Sequence, residues 1–216
     1  MTCTGTSASF NLSVDAPSSA LPTQIAFGDP ATALMTDGTI RALGYGTYYV
    51  QDWDWATDAI QVAGGFHTSC ALRSNGTIQC LGDNTYGQLG IGSTTPLDGP
   101  SDAVNVSGIS TAIAVAGSLD GYHTCAILAD HTVWCWGKND HGQLGNNSTA
   151  DSTVPVQVSG ISTAIAVALG ESFSCAVLSG GTVQCWGIND WGNLGDGPPT
   201  TRPAPVTVET SAGTNL

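Results

Sequence analysis

Six of the seven cysteines in this 216-residue chain fall into three pairs, Cys70/Cys80, Cys125/Cys135 and Cys175/Cys185, with the members of each pair ten positions apart. Between them lie the dipeptides Asn75-Gly76, Asp130-His131 and Gly180-Gly181. These residue types tolerate a positive φ, so each intervening segment reads as a hairpin turn. In a hairpin centred there, the paired cysteines face one another across two strands, close enough for a disulfide. Buried free thiols are the competing reading. Zinc ligation lacks a close two-cysteine cluster with a second one nearby. Cys3 is left over, as a free thiol, an intermolecular partner, or a partner of a segment outside this sequence. Because disulfides persist outside the reducing cytosol, the pairs lead us to expect an extracellular, periplasmic or cell-surface home.

Other chemistry has less support. No Gly-x-Ser-x-Gly elbow is present to present a serine nucleophile. Glu171 and Glu209 are the only glutamates, and neither has a partner spaced as a general acid/base pair, although distant aspartates could meet in a fold. Asp52, Asp54 and Asp58 could offer oxygen ligands to calcium, but their loop lacks the full alternating ligand set and its glycine. No other cofactor is implied.

Aromatic side chains offer recognition chemistry. Tyr86, His141 and Trp191 occupy equivalent positions immediately before three similar turns, Gly87-Gln88-Leu89-Gly90, Gly142-Gln143-Leu144-Gly145 and Gly192-Asn193-Leu194-Gly195. If these loops share a face, they form a ring of contacts able to anchor a protein or stack on a sugar. The plainer reading is that each ring covers its own turn. Trp53 and Trp55 lie in an insertion, Tyr48 to Trp55, that interrupts the repeated pattern. It reads either as a binding loop or as a cap over an exposed sheet edge.

These side chains are positioned by a repeat. The block Cys70 to Gly82 recurs at Cys125 to Gly137 and Cys175 to Gly187, followed each time by an asparagine (Asn84, Asn139, Asn189) and one of the turns above. A period of about fifty residues indicates a solenoid, propeller or array. A degenerate copy, Thr32 to Gly44, has Thr32 and Ala42 at the cysteine positions. Upstream of the blocks lie apolar strands aligned as Ile25-Ala26-Phe27, Ile60-Gln61-Val62, Ile113-Ala114-Val115 and Ile165-Ala166-Val167. Each unit thus supplies a small antiparallel sheet, and four such sheets arranged radially make propeller blades. Segment 1–20 reads as an N-terminal edge segment, 21–208 as one all-β domain with repeats at 21–54, 55–109, 110–161 and 162–208, and 209–216 as a tail.

Composition narrows the partners. Forty-one per cent hydrophobic residues, 28 glycines and 10% charged residues fit a turn-rich packed β-protein. A net charge of −13, with four Lys plus Arg, disfavours nucleic acid. No stretch of the sequence has the length of a membrane-spanning apolar segment.

The pattern Gly, His-Thr, Cys-Ala-Leu, Asp/Asn-Gly-Thr-Val, Cys-Trp-Gly, Asn, Gly-Gln-Leu-Gly, fullest from Gly121 to Gly145, resembles the regulator-of-chromosome-condensation repeat. The resemblance covers residues 21 to 208 and implies four-stranded blades, commonly seven, closed into a ring. Four copies leave open a four-bladed ring, an open fragment of a larger propeller, or closure by oligomerisation. The resemblance also implies that His67 and His123, at the His-Thr position, make a structural hydrogen bond to a neighbouring strand. Secreted members include an inhibitor that grips a β-lactamase with one propeller face, whereas the nuclear members' exchange activity does not transfer. Three functional readings follow: a binding module for a protein or glycan, a glycoside-type hydrolase with acids at the propeller mouth, and a structural domain. In the last, Pro205-Val206-Thr207-Val208 begins a further repeat and pairs with Ser9–Val14 or with a neighbouring copy.

Overall fold

The computed structural model describes residues 20–28, 31–43, 50–53, 55–97, 102–197 and 199–209, with the backbone alone for 43 and 50–53. Among the described residues, sixteen strands form four antiparallel sheets, each drawn from one contiguous stretch of chain. The first blade holds β1 (Pro22–Ala26), β2 (Ala31–Met35), β3 (Ile40–Leu43) and β4 (Val50–Trp53). The second holds β5 (Ala59–Gly65), β6 (Thr68–Arg73), β7 (Ile78–Gly82) and β8 (Val104–Asn105). The third holds β9 (Ala112–Gly117), β10 (His123–Leu128), β11 (Val133–Gly137) and β12 (Ser152–Gln157). The fourth holds β13 (Ala164–Leu169), β14 (Phe173–Leu178), β15 (Val183–Gly187) and β16 (Arg202–Thr207). The first strands of successive blades pack on one another, β1 on β5, β5 on β9 and β9 on β13, so they form the inner side of the arc.

The hairpins set the cysteine register. Cys70 lies directly opposite Cys80, Cys125 opposite Cys135 and Cys175 opposite Cys185, with sulfurs 2.07 to 2.14 Å apart. Strand alternation gives every blade two faces. One carries the cysteines with Leu72 and Ile78, or their equivalents, forward against the next blade. The other carries Val62 and Ala71, or their equivalents, back against the previous one. The buried cluster at the second seam joins Cys70, Leu72, Ile78, Cys80 and Leu89 to Val115, Ala126 and Trp136. At the third seam, Cys125, Ile127, Val133 and Leu144 meet Ala164, Ala176 and Trp186. Each Val, Leu or Ile side chain fully buried in these seams contributes about 1.5–3 kcal/mol.

Three sequence expectations are corrected. Pro205-Val206-Thr207 belongs to β16, where Cys185 pairs with Val206 and Gln184 with Thr207, so the segment completes the fourth blade instead of beginning another. Ile25 pairs with Ala33 as Val62 pairs with Ala71, so Ile25 is level with Val62, not Ile60. A two-residue shift preserves the inward face of a strand, and alternation alone cannot detect it. His67 is not equivalent to His123. Thr68 faces Gly82 as His123 faces Gly137, because one extra residue, Ser69, separates the His-Thr pair from Cys70. His67 lies in the preceding turn with φ of 52°. Ser9–Val14 lie outside the described residues.

The insertion is also part of the blade. Val50–Trp53 pair with β3 as its outer strand, Asp52 opposite Arg41 and Trp53 opposite Ile40. It takes the place that β8, β12 and β16 hold in the other sheets.

Candidate interaction face

The loops joining inner to second strands and those following third strands lie at one end of the blades. Backbone bonds tie them together: Asp83 N–H to the His67 carbonyl (2.8 Å), Lys138 N–H to Tyr122 (2.8 Å) and Ile188 N–H to Ser172 (2.8 Å). The Asn-Gly-type turns lie at the opposite end.

The turn loops share one internal architecture. Asn84, Asn139 and Asn189 are buried, and their side-chain oxygens accept the Leu89, Leu144 and Leu194 N–H groups at 3.0, 2.9 and 2.9 Å. Two residues beyond Tyr86, His141 and Trp191, the side-chain oxygens of Gln88, Gln143 and Asn193 accept their backbone N–H groups at 2.9, 2.9 and 3.3 Å. The three aromatic positions are therefore equivalent, but their surroundings differ. The Tyr86 ring lies 4.8 Å from that of Tyr122 in the third blade, and Tyr122 lies 5.0 Å from Phe66. Lys138 places its Nζ 5.3 Å from the Tyr86 ring centre and 3.0 Å from Asp140. The hydrogen bond to Asp140 raises the Lys138 pKa, so the ammonium is fixed. His141 is half-exposed beside Asp140, and Trp191 is 94% exposed.

The structure thus brings Tyr86 into a half-buried cluster with Phe66, Tyr122 and Lys138, and leaves Trp191 outside it. Phe66, Tyr122 and Lys138 were missed in the sequence. Their signal was available in the variation at loop positions, where His67, Tyr122 and Ser172 are equivalent. Trp55 packs within the first seam against the cluster of Ala42 and Leu81. Asp58 accepts from Arg73 Nε (2.7 Å) and from Ser74 (3.3 Å), and the arginine bond holds its carboxyl below the usual range. Both oxygens face protein donors, an arrangement that competes with a cation. The side chains of Asp52 and Trp53, and Asp54 as a whole, lie outside the described residues. No group of three or more His, Cys, Asp or Glu arranged for a metal ion occurs among the described residues.

Beneath the face, blades are locked through the turn carbonyls. The Gln88 carbonyl accepts the Trp136 indole N–H (2.8 Å) and the Thr124 hydroxyl (3.2 Å). The Gln143 carbonyl accepts the Trp186 indole (2.8 Å) and the Ser174 hydroxyl (2.9 Å). His123 Nε2 lies 2.9 Å from that same Ser174 oxygen. Since Ser174 gives its only proton to Gln143, His123 donates through Nε2–H, leaving Nδ1 without a hydrogen-bond partner among the described residues. Burial pushes the His123 pKa down to about 3, so the ring is neutral. The interstrand bond implied for His123 is present. On the inner strands, Gln24 clasps Val62, its side-chain oxygen accepting the Val62 N–H (3.0 Å) and its amide donating to the Val62 carbonyl (3.1 Å). Gln61 clasps Val115 in the same way, at 3.0 and 3.1 Å.

Comparison with known proteins agrees with this architecture. A family model described as the regulator of chromosome condensation (RCC1) repeat matches residues 130–177, and a second RCC1-repeat model matches 59–88 and 164–192. Human probable E3 ubiquitin-protein ligase HERC4 is 35% identical over 97 residues, 44% of this chain and 9% of its own length. The ultraviolet-B receptor UVR8 of Arabidopsis thaliana is 31% identical over 102 residues, 47% of this chain and 22% of its own. The chain therefore spans a small part of these relatives. Among solved structures, Saccharomyces cerevisiae Prp20p, whose binding to Gsp1p and histones has been characterised, superposes with a TM-score of 0.74 at 20% identity over 92% of this chain and 53% of its own. Human WBSCR16 superposes with a TM-score of 0.76 at 21% identity, over 91% and 54%. The four sheets thus form a partial propeller relative to these structures.

Proposed function

Starting from a chain that carries RCC1 repeats and folds as part of an RCC1-like β-propeller, we propose that it is an extracellular protein-binding module that engages its partner through the loop face over the second seam. The observation that carries this reading is the cluster of Phe66, Tyr86, Tyr122 and Lys138, contributed by two blades. Half-buried aromatic rings held by their neighbours supply contact area at little rotamer cost.

Charge describes the partner. Arg73 pairs with Asp58, Lys138 with Asp140 and Arg202 with Asp196, while Asp120, Glu171 and Asp190 are exposed at the loop end. A surface presenting positive charge complements this face. The three cysteine pairs support an oxidising compartment, and a thiol titration of the protein unfolded without reductant tests it: seven reactive cysteines sink that placement.

The binding experiment compares the native chain with a Tyr86→Ala/Tyr122→Ala double variant against secreted proteins of its source. The expected result is a saturable protein partner whose affinity falls at least tenfold in the variant. Equal capture by both forms, or binding to a glycan array alone, overturns the reading. No helix among the described residues is long and apolar enough to cross a membrane.

A further inference from the structure

The loops joining inner to second strands differ in length. Ser69 lies opposite Gly64, Thr124 opposite Gly117 and Ser174 opposite Leu169, so the connecting stretches are residues 65–68, 118–123 and 170–173. The third blade therefore has six residues where the blades on either side have four. Its additional length lies in Leu119-Asp120-Gly121-Tyr122, which stand where the second blade has Phe66-His67 and the fourth has Glu171-Ser172.

The base of this longer loop is fixed to both neighbours. Ser118 is fully buried; its carbonyl accepts the Phe66 N–H of the second blade (3.0 Å), and its hydroxyl donates to the Gly170 carbonyl of the fourth (2.5 Å). The Ser118 N–H closes the loop on the His123 carbonyl (3.2 Å). Gly121 is buried against the loop of the fourth blade, where a Cβ would run into the Glu171 carbonyl. Above this base, Leu119 is 49% exposed and the neighbouring acids Asp120 and Glu171 are exposed as well. A single exposed leucine is ordinary on a protein surface. Here it sits with a carboxylate at the tip of an insertion held by three blades, so little loop ordering is left to oppose binding.

We infer, resting on the protein-binding reading of the loop face, that Leu119 and Asp120 are its specificity element. Leu119 packs on an apolar side chain of the partner, and Asp120, with Glu171 on the adjacent loop, takes the lysine or arginine beside it. Position supports this assignment: Tyr122, two residues from Asp120, has its ring 5.0 Å from Phe66 and 4.8 Å from Tyr86, so the tip borders the aromatic cluster. Charge selects the cation. Lys138 is engaged by Asp140 (3.0 Å), whereas neither Asp120 nor Glu171 has an ion-pair partner among the described residues. An apolar contact flanked by unneutralised carboxylates favours a basic, apolar segment over an acidic one.

The test selects binders to the immobilised native chain from a phage-displayed library of random peptides. The selected peptides are then synthesised and titrated by calorimetry into the native chain and its Leu119→Ser, Asp120→Asn and Tyr86→Ala/Tyr122→Ala forms. The selected sequences are expected to place an apolar residue next to Lys or Arg, and to lose roughly tenfold in affinity for Leu119→Ser. For Asp120→Asn the loss is expected to be about threefold at low salt and to fade as salt is raised. Both substituted side chains are exposed, so the unfolding midpoints of these two variants should match that of the native chain. Peptides that weaken only with Tyr86→Ala/Tyr122→Ala keep the loop face as the binding site and overturn the role of Leu119 and Asp120. Peptides indifferent to every variant overturn both. An acidic consensus, or a selection that yields no binder, overturns the inference as well.

Discussion

The first and third seams solve the same packing problem with different residues. At the third seam, Trp186 is fully buried and donates to Gln143, Ser174 donates to the same carbonyl, and His123 closes the chain of bonds. At the first seam, the strand position of Trp186 is held by Leu81, and Trp55 reaches in from the connection to pack on it. No Gly-Gln-Leu-Gly segment follows Gly44 in the sequence of the first repeat. Ser69, equivalent to Ser174, is buried without a hydrogen-bond partner among the described residues. A glutamine clasp is present at the first two seams, through Gln24 and Gln61, whereas the equivalent residue at the third is Ala114. An inter-blade seam therefore needs a filled apolar face and satisfied backbone polar groups, and more than one set of side chains meets those conditions.

The largest expected effect comes from emptying the indole socket. Trp186→Ala removes a fully buried side chain and its hydrogen bond, with an expected loss of about 3–5 kcal/mol measured by denaturant unfolding. Trp55→Ala, at a partly buried site, is expected to cost less. Equal losses break the contrast between the seams.

Acid should act on the third seam before the first. His123 is neutral in the folded protein, with a pKa of about 3 against 6.5 for an ordinary histidine, so the unfolded chain binds the extra proton. Its contribution is present in full above pH 6.5 and is lost as pH falls towards 3, at about 1 kcal/mol per pH unit. Burial is the only cause of that shift. The difference in stability between the native chain and His123→Gln should therefore shrink between pH 7 and pH 4. Parallel curves across that range assign the acid sensitivity to other groups.

The smallest expected effect belongs to the clasp. Gln24→Ala removes two part-buried hydrogen bonds at the first seam and should cost about 1–2 kcal/mol. Exchange of the Val62 amide should rise in that variant while that of Val115 stays unchanged. A uniform rise along β5 and β9 means that the clasp is not local to its seam.

The hairpins, the opposition of each cysteine pair and the fourfold repeat were legible in the sequence because they rest on contacts within about a dozen residues and on turn chemistry. Turn residues fix the register, so Cys70 can only meet Cys80. The offset of Ile25 was hidden, because a two-residue slip in an alternating strand keeps every side chain on the same face. The role of Trp55 was hidden as well, since an interrupted pattern does not reveal which neighbour will cover it. Tyr86 and Trp191 looked alike, and their own loops are alike, yet one is packed on the following blade and the other stands exposed. Sequence by itself determined the blade and its cross-strand cysteine pairs. Tertiary structure decided which carbonyl each indole meets and which aromatic face stays open, because those contacts join residues more than thirty positions apart through the order of blades in space.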